Sequence, residues 1–312
     1  MWCSAPWSTS STWSSIRACG CAAGEGGDMT AASLALRPRR LFAGLRHPGL
    51  LAAAAFLLVA AVATVSPGLL TGVDPIAADP LQAQLPPGAG HWFGTDQLGR
   101  DVFSRVVHGA RYSLLIGVSA MLIAVVVGSL LGLLAGLARG LVDELITRFL
   151  DVVSAFPDLL LALVLISFTG PGTVNLIVAL GVASVPRFAR VVRAQTFVVA
   201  ESGYVEQAKT FGLTRATLVW RHVLPHAVAQ VPILATIGLG TAIISAAGLS
   251  FLGMGPQPPV PEWGAMLSEG RSYLRNAWWV AVWPGIAITL TVISVSALGR
   301  RWQAAFEGRR VW

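Results

Sequence analysis

Long apolar segments alternate along the chain with shorter polar segments. At about 1.5 Å per residue, a helix of about 20 apolar residues crosses a hydrocarbon layer of about 30 Å. Because lipid offers no partner to backbone polar groups, such segments are predicted to be helices. We therefore predict an all-α polytopic membrane protein with six transmembrane helices, at residues 49–66, 112–138, 152–169, 173–186, 227–252 and 277–299.

Composition and charge support this prediction and add an orientation. Hydrophobic residues make up 54% of the chain and charged residues 12%, whereas soluble domains carry about 25% charged residues. The net charge of +7 does not predict nucleic-acid binding, because the charges cluster at the ends of apolar segments and indicate topology instead. Most of the 22 lysines and arginines lie on the side that holds both termini. The positive-inside rule therefore predicts cytoplasmic termini.

The segments predict five successive regions. Residues 1–28 lack periodicity, and we expect them to be a non-native or disordered extension before a true start at Met29; the intact mass of the native protein tests this. The remaining regions are a cytoplasmic segment at 29–48, a first helix with an external amphipathic segment at 49–111, a permease domain at 112–299 and a cytoplasmic tail at 300–312. Within the external segment, Asp96 is the expected N-cap of a helix.

Two features of the apolar segments are candidates for packing and for transport. Gly128, Gly132 and Gly136 recur at every fourth residue and predict a smooth helix face on which a neighbouring helix packs closely. Asp158 follows Pro157 in the third predicted span, and an ionisable residue at membrane depth is a candidate pathway residue. The alternative is that Pro157 opens the helix, so that Asp158 lies in a hydrated kink or near the interface.

The polar segment at residues 201–225 interrupts the apolar pattern more than any other. Residues 203–210 suit a short amphipathic helix, in which Tyr204, Ala208 and Phe211 form an apolar ridge that could dock into another protein. Gly212 has the backbone freedom to end this helix, and Pro225 predicts the turn where a second helix starts toward the membrane.

The same segment resembles the EAA loop of bacterial ABC importer permeases. The resemblance rests on Glu206-Gln207-Ala208, on Gly212 four residues later, and on Leu224-Pro225. Gln207 departs from the pattern, which has alanine there, and His222 stands where the pattern has isoleucine. The resemblance implies a coupling helix that contacts a cytoplasmic ATPase. The residues implied in this contact are Tyr204, Glu206, Gln207, Ala208, Phe211, Gly212, Leu224 and Pro225.

Two further segments, residues 91–105 and 261–271, resemble external signatures of the C-type subunits of dipeptide and oligopeptide permeases. The resemblance implies the type I ABC importer fold in a bacterial inner membrane, with peptides or similar small solutes as cargo. It also implies four partner chains in the bilayer complex: a second homologous permease, two cytoplasmic ATPases and an external solute-binding protein. Trp278, Trp279 and Trp283 are expected to form an aromatic belt at the outer interface.

No catalytic or cofactor-binding pattern is found in the sequence. The chain has one lysine, Lys209, and it follows Ala208, so a Walker A phosphate loop is excluded. We therefore expect no enzyme activity, no metal and no cofactor in this chain, with ATP and Mg²⁺ used by the partner ATPases. The alternative function is a stand-alone proton-coupled secondary transporter in which Asp158 and Asp151 relay protons.

Overall fold

The chain divides into two units, Met1–Arg39 and Arg40–Trp312. A computed structural model describes residues 48–306, all of which belong to the second unit. The predicted extension at 1–28, most of the segment at 29–48 and the end of the tail after residue 306 lie outside the described residues.

The described residues fold almost entirely as helices. The longer ones are α1 (Pro48–Val65), α2 (Val102–Ala138), α3 (Gly140–Ser154), α4 (Asp158–Thr169), α5 (Thr173–Ala200), α6 (Gly203–Thr210), α9 (Val231–Phe251), α10 (Trp263–Gly270) and α11 (Trp279–Phe306). Between α6 and α9 lie the short α7 (Arg215–Leu218), a π-helical turn at Val219–Val223 and the short α8 (Leu224–Ala227). Three 3₁₀ turns complete the set, at Pro67–Leu69, Pro80–Gln82 and Arg271–Tyr273.

Five of these helices are long and apolar enough to cross a membrane: α1, α2, α5, α9 and α11. The helices α3 and α4 pass the same test together, but they meet at an angle of 89°. Counting the bent pair as one span gives six. The prediction of an all-α polytopic membrane protein is therefore confirmed, with five candidate spans in the described residues, or six if the bent pair is one span.

The third span differs from its prediction as one continuous helix at residues 152–169. The helix α3 ends at Ser154, and α4 starts only at Asp158. Proline has no amide hydrogen and disfavours helical geometry in the residue before it, which explains the break in front of Pro157. With 12 residues, α4 is about 18 Å long and cannot cross a hydrocarbon layer of about 30 Å by itself.

The centre of the fold is the packing of α2 on α5. Gly128, Gly132 and Gly136 lie on the buried face of α2, directly against α5. A Cβ atom added at Gly132 would lie 2.4 Å from the carbonyl oxygen of Ala189, and one at Gly136 would lie 2.6 Å from the Cβ of Thr196. Side chains at these positions would therefore separate the two helices.

Two helix starts differ from prediction. Asp101, and not Asp96, caps α2, because its Oδ2 accepts a hydrogen bond from the Ser104 amide at 2.7 Å. Asp96 instead accepts hydrogen bonds from the amides of Leu98 and Arg100, which form a tight turn before the helix. The helix α9 begins at Val231, four residues beyond its predicted start at Ala227.

The three tryptophans of the predicted aromatic belt differ in their surroundings. Trp278 is exposed, but Trp279 is buried and its indole nitrogen donates to the carbonyl oxygen of Thr95 at 3.0 Å. Trp283 stacks on Phe93 with ring centroids 3.9 Å apart. These two rings attach α11 to the external segment that precedes α2, so they are structural.

Candidate coupling site

The helix α6 has the bounds that the sequence predicts, Gly203–Thr210. It lies directly after the long helix α5, whose end is joined to the end of α2 by an ion pair between Arg139 and Glu201 at 2.9 Å. Both partners of this pair are more than half exposed, and exposed pairs contribute about 0 to 1 kcal/mol. The position of α6 therefore depends mainly on its apolar contacts.

One face of α6 packs into the chain itself. Val205 is fully buried and Ala208 is 8% exposed, and both belong to a small core with Leu218, Val223 and Ala227. Leu133 and Leu137, from the last turns of α2, pack against the same core. The small core holds α6 against the ends of the membrane helices, so a displacement of α6 would be transmitted to α2 and α5.

The predicted apolar ridge of Tyr204, Ala208 and Phe211 is therefore wrong in one member. Ala208 lies on the buried face with Val205, whereas Tyr204 is 41% and Phe211 83% exposed. At 100° per residue, Ala208 lies between Tyr204 and Val205 around the helix, so contact with Val205 turns it inward. The surface that α6 presents outward consists of its six exposed residues, Gly203, Tyr204, Glu206, Gln207, Lys209 and Thr210, and it is continued by the exposed Phe211.

Gly212 ends α6 in a left-handed conformation, with φ at +79°. The amide of Leu213 donates to the carbonyl oxygen of Ala208 at 3.3 Å, and the amide of Gly212 donates to that of Lys209 at 3.0 Å. These two bonds form a Schellman motif, which satisfies the last carbonyls of the helix and favours glycine at this position. No atom lies within 4 Å of a Cβ built on Gly212, so the surroundings are open.

The sequence predicted that Pro225 marks the start of the second helix, but the structure differs. Helical structure begins ten residues earlier at Arg215, where the Thr214 hydroxyl caps the first turn. Leu224 and Pro225 follow the π-helical turn and belong to α8, while the membrane helix begins after a further turn. A π-helical turn accommodates the missing amide of proline within a helical segment.

Residues that the sequence reasoning missed extend the exposed surface beyond α6. Trp220 is 72% exposed, and with Ala216, Thr217 and Arg221 it lines a shallow depression of about 470 Å³. An exposed tryptophan beside an arginine is typical of the residues that dominate protein interfaces. The sequence feature that could have indicated this surface is Trp220 itself, the largest apolar side chain within the polar segment.

Asp158 is the first residue of α4 and is exposed. It lies at the break between α3 and α4 and lines a small cavity together with residues of α2, α5 and α9. The structure therefore places it in a kink, as one of the two interpretations of the sequence expected.

The two external signature segments contact each other, although they are far apart in the sequence. Glu269 accepts hydrogen bonds from Arg100 at 3.1 Å and from Arg105 at 3.2 Å, and Arg100 also pairs with Asp96. In the same region Glu262 is buried and accepts a hydrogen bond from the Ser113 hydroxyl at 2.9 Å. Burial raises the pKa of the Glu262 carboxyl above its ordinary value.

The described part of the chain contains no group of three histidine, cysteine or acidic side chains placed to hold a metal ion. The candidate site is a surface on a short helix with a buried apolar face and an exposed polar face. The helices long and apolar enough to cross a membrane define the class as a multi-pass membrane protein.

Comparison with known proteins agrees with this class and narrows it. Residues 128–311 match the family model of the binding-protein-dependent transport system inner membrane component. The chain belongs to this family. It is a multi-pass inner-membrane permease subunit of an ABC importer, which works with ATPase and binding-protein partners. The family and the fold are those of importer permeases and not of stand-alone secondary transporters.

Relatives with assigned names support the same family. The dipeptide transport system permease protein DppC of Alkalihalophilus pseudofirmus is 39% identical over 251 residues, which are 80% of this chain and 81% of the relative. The glutathione transport system permease protein GsiD of Escherichia coli (strain 536) is 49% identical over 213 residues, which are 68% of this chain and 70% of the relative.

Solved structures show the same fold. An inward-facing structure of the MetNI methionine ABC transporter aligns with a TM-score of 0.55 at 20% identity, over 67% of this chain and 98% of the matched chain. At this level of identity the similarity is one of fold.

Proposed function

We propose that this chain is the C-type permease subunit of a peptide importer and forms half of its translocation pathway. The cargo class is supported by the two relatives, whose names refer to dipeptides and to glutathione, and by the external segments at 91–105 and 261–271. Both termini lie in the cytoplasm in this proposal, in agreement with the distribution of arginines.

The complete importer in this proposal contains a second homologous permease, two cytoplasmic ATPases and an external solute-binding protein. ATP and Mg²⁺ are bound by the ATPases, and the permease chain itself carries no cofactor and catalyses no reaction. Closure of the ATPases around ATP displaces α6, and the membrane helices follow because α6 is packed on them.

The observation that carries this proposal is the two-sided construction of α6. Val205 and Ala208 attach it to the membrane helices, while Glu206, Gln207 and Phe211 are exposed. In the proposed contact Glu206 and Gln207 supply hydrogen bonds, and Tyr204 and Phe211 supply apolar area. Ala208 and Gly212 act indirectly, by closing the buried face and ending the helix, and Leu224 and Pro225 hold the segment that returns to the membrane.

Purification of the tagged chain from its native membrane, followed by mass spectrometry, tests the assembly. We expect a second permease and ATPases with Walker motifs to co-purify. The purified complex, reconstituted into vesicles with its binding protein, should take up labelled dipeptide or glutathione only when ATP is supplied to the ATPases. A chain that purifies alone and takes up peptide in response to a proton gradient without ATP would contradict the proposal.

A further inference from the structure

A small cavity lies where α2, α4, α5 and α9 meet, with a volume of about 50 Å³. The buried side chains of Met121, Leu180 and Phe188 form its apolar floor. Asp158 and Arg187 line its rim, and both are exposed. A space of this size holds a few waters or the polar end groups of a ligand, so the rest of a peptide bound at the rim would lie outside the cavity.

The rim belongs to a row of opposite charges between α5 and the bent pair. The row consists of Arg193 with Asp143, Arg190 with Asp151, and Arg187 with Asp158. The first two combinations are ion pairs, and Arg190 lies 3.1 Å from Asp151. Within the described residues, neither Arg187 nor Asp158 has an ion-pair or hydrogen-bond partner, although both line the same cavity.

The break before α4 explains why Arg187 and Asp158 form no ion pair. Asp143 and Asp151 lie on α3, and their partners lie in the C-terminal half of α5. Asp158 instead lies on α4, after the 89° bend. The result is a carboxylate and a guanidinium that lie on one cavity and are not paired with each other. In water, solvent molecules bond to the Asp158 carboxylate and the Arg187 guanidinium. If a ligand displaces this water, each charge needs a partner of opposite sign.

We propose that Asp158 and Arg187 form an ionic subsite for the two ends of a short zwitterionic peptide. The peptide ammonium binds the Asp158 carboxylate, and the peptide carboxylate binds the Arg187 guanidinium in the charge-assisted geometry that arginine favours. Ser184 and Ser245 also line the cavity and supply hydroxyl groups. This inference rests on the proposed function, because it assumes that the cargo is a peptide.

Equilibrium binding to the assembled transporter in lipid nanodiscs tests the subsite. The external binding protein is left out, so its selectivity does not enter the result. The probes are labelled alanyl-alanine, its N-acetyl form and its C-terminal amide. Wild type should bind alanyl-alanine at least about tenfold more tightly than either capped form, since a hydrogen bond to a charged group contributes at least this much.

The variants should then show opposite selectivities. Arg187→Gln should weaken alanyl-alanine and the N-acetyl form by about tenfold and leave the amide unchanged. Asp158→Asn should weaken alanyl-alanine and the amide and leave the N-acetyl form unchanged. Arg190→Gln and Asp151→Asn are matched controls from the neighbouring closed pair, and they should bind all three probes as wild type does.

Equal losses for all three probes, or no loss, would overturn the subsite. So would a wild type that does not distinguish the zwitterion from the capped forms. ATP-driven uptake of alanyl-alanine by the complete wild-type transporter is measured in parallel. Uptake without the expected selectivities overturns the subsite alone, whereas absence of peptide uptake by wild type overturns the proposed peptide function as well.

Discussion

The molecule has two large polar regions, which are built in opposite ways. One is formed by the external segments at 91–105 and 261–271, and the other is the coupling segment at 201–225. In the external segments the charged side chains of Asp96, Arg100 and Glu262 are buried and bonded to other parts of the same chain. In the coupling segment Glu206 and Trp220 are exposed.

The difference in burial reflects the interactions that hold each region in place. The external segments are held by directional bonds between residues far apart in the sequence, such as the bond from the Ser113 hydroxyl to Glu262, 149 positions away, and the bond from the Trp263 indole to the carbonyl of Val106, 157 positions away. The coupling segment is held by a few small apolar side chains. The first arrangement favours a fixed structure, and the second leaves a surface free for a partner.

The largest expected effect on stability is at Asp96. Asp96→Ala removes the carboxylate that pairs with the buried Arg100, and loss of one partner of a buried pair costs about 3 to 5 kcal/mol. Arg139→Ala is the matched change beside the coupling segment, because it removes the exposed pair with Glu201 and should cost at most about 1 kcal/mol. Thermal unfolding of the purified variants, followed by tryptophan fluorescence, measures both. Equal shifts in Tm would contradict the comparison.

The two faces of α6 should respond differently to the same side chain. Ala208→Leu places a large side chain into the small core around Val205 and should cost about 1 to 3 kcal/mol through overpacking. It should also reduce uptake, because α6 is pushed away from α2. Gln207→Leu changes the exposed face and should stay within about 0.5 kcal/mol of wild type. The free energy of unfolding in denaturant and ATP-driven uptake test this pair; a larger cost at Gln207 would reverse the assignment of the faces.

Gly212→Asp should separate stability from transport. The positive φ at this position costs a non-glycine residue about 1 to 2 kcal/mol, and the open surroundings add no steric clash. We expect normal amounts in the membrane but no uptake, because a charged side chain then lies at the proposed ATPase contact.

Gly140→Asp is the control for that variant, since Gly140 also has positive φ and open surroundings but lies outside the coupling segment. It should show a similar loss of stability and keep uptake. Loss of uptake in both variants would mean that backbone strain, and not position, explains the effect.

The smallest effect expected is a pH dependence from Glu262. Burial raises its pKa in the folded protein, so the folded state keeps the proton to higher pH than the unfolded state does. The stability that this provides is complete below the ordinary pKa of the unfolded chain and is lost as pH rises through the folded pKa. The Tm of wild type should therefore fall relative to that of Glu262→Gln as pH is raised from below the ordinary carboxyl pKa into the neutral and alkaline range. A difference that does not change with pH would contradict the burial of an ionisable carboxyl.

The coupling segment was more predictable from sequence than the external segments, for a physical reason. The bounds of α6 follow from local features: apolar spacing over eight residues and a glycine that adopts positive φ. The closely packed face of Gly128, Gly132 and Gly136 is likewise a local repeat. Local features are visible in a single sequence.

The external segments depend on contacts that a single sequence does not reveal. Asp96 was expected to cap a helix, but its carboxylate is occupied by Arg100 and by the turn before Asp101. The burial of Trp279 follows from its bond to Thr95, more than 180 residues earlier. The inward turn of Ala208 similarly depends on Leu218 and Val223, which reach it only after the chain has reversed.

Site-specific crosslinking from the exposed face of α6 tests the central claim most directly. Gln207→Cys, in a chain whose Cys3, Cys19 and Cys21 are replaced by serine, is labelled with a photoactivatable maleimide in the assembled complex. Gly90→Cys, at an exposed external position with open surroundings, is the control. We predict a crosslink from Gln207→Cys to the ATPase subunit and none from Gly90→Cys. An intact, ATP-driven complex in which Gln207→Cys gives no adduct with the ATPase would contradict the account.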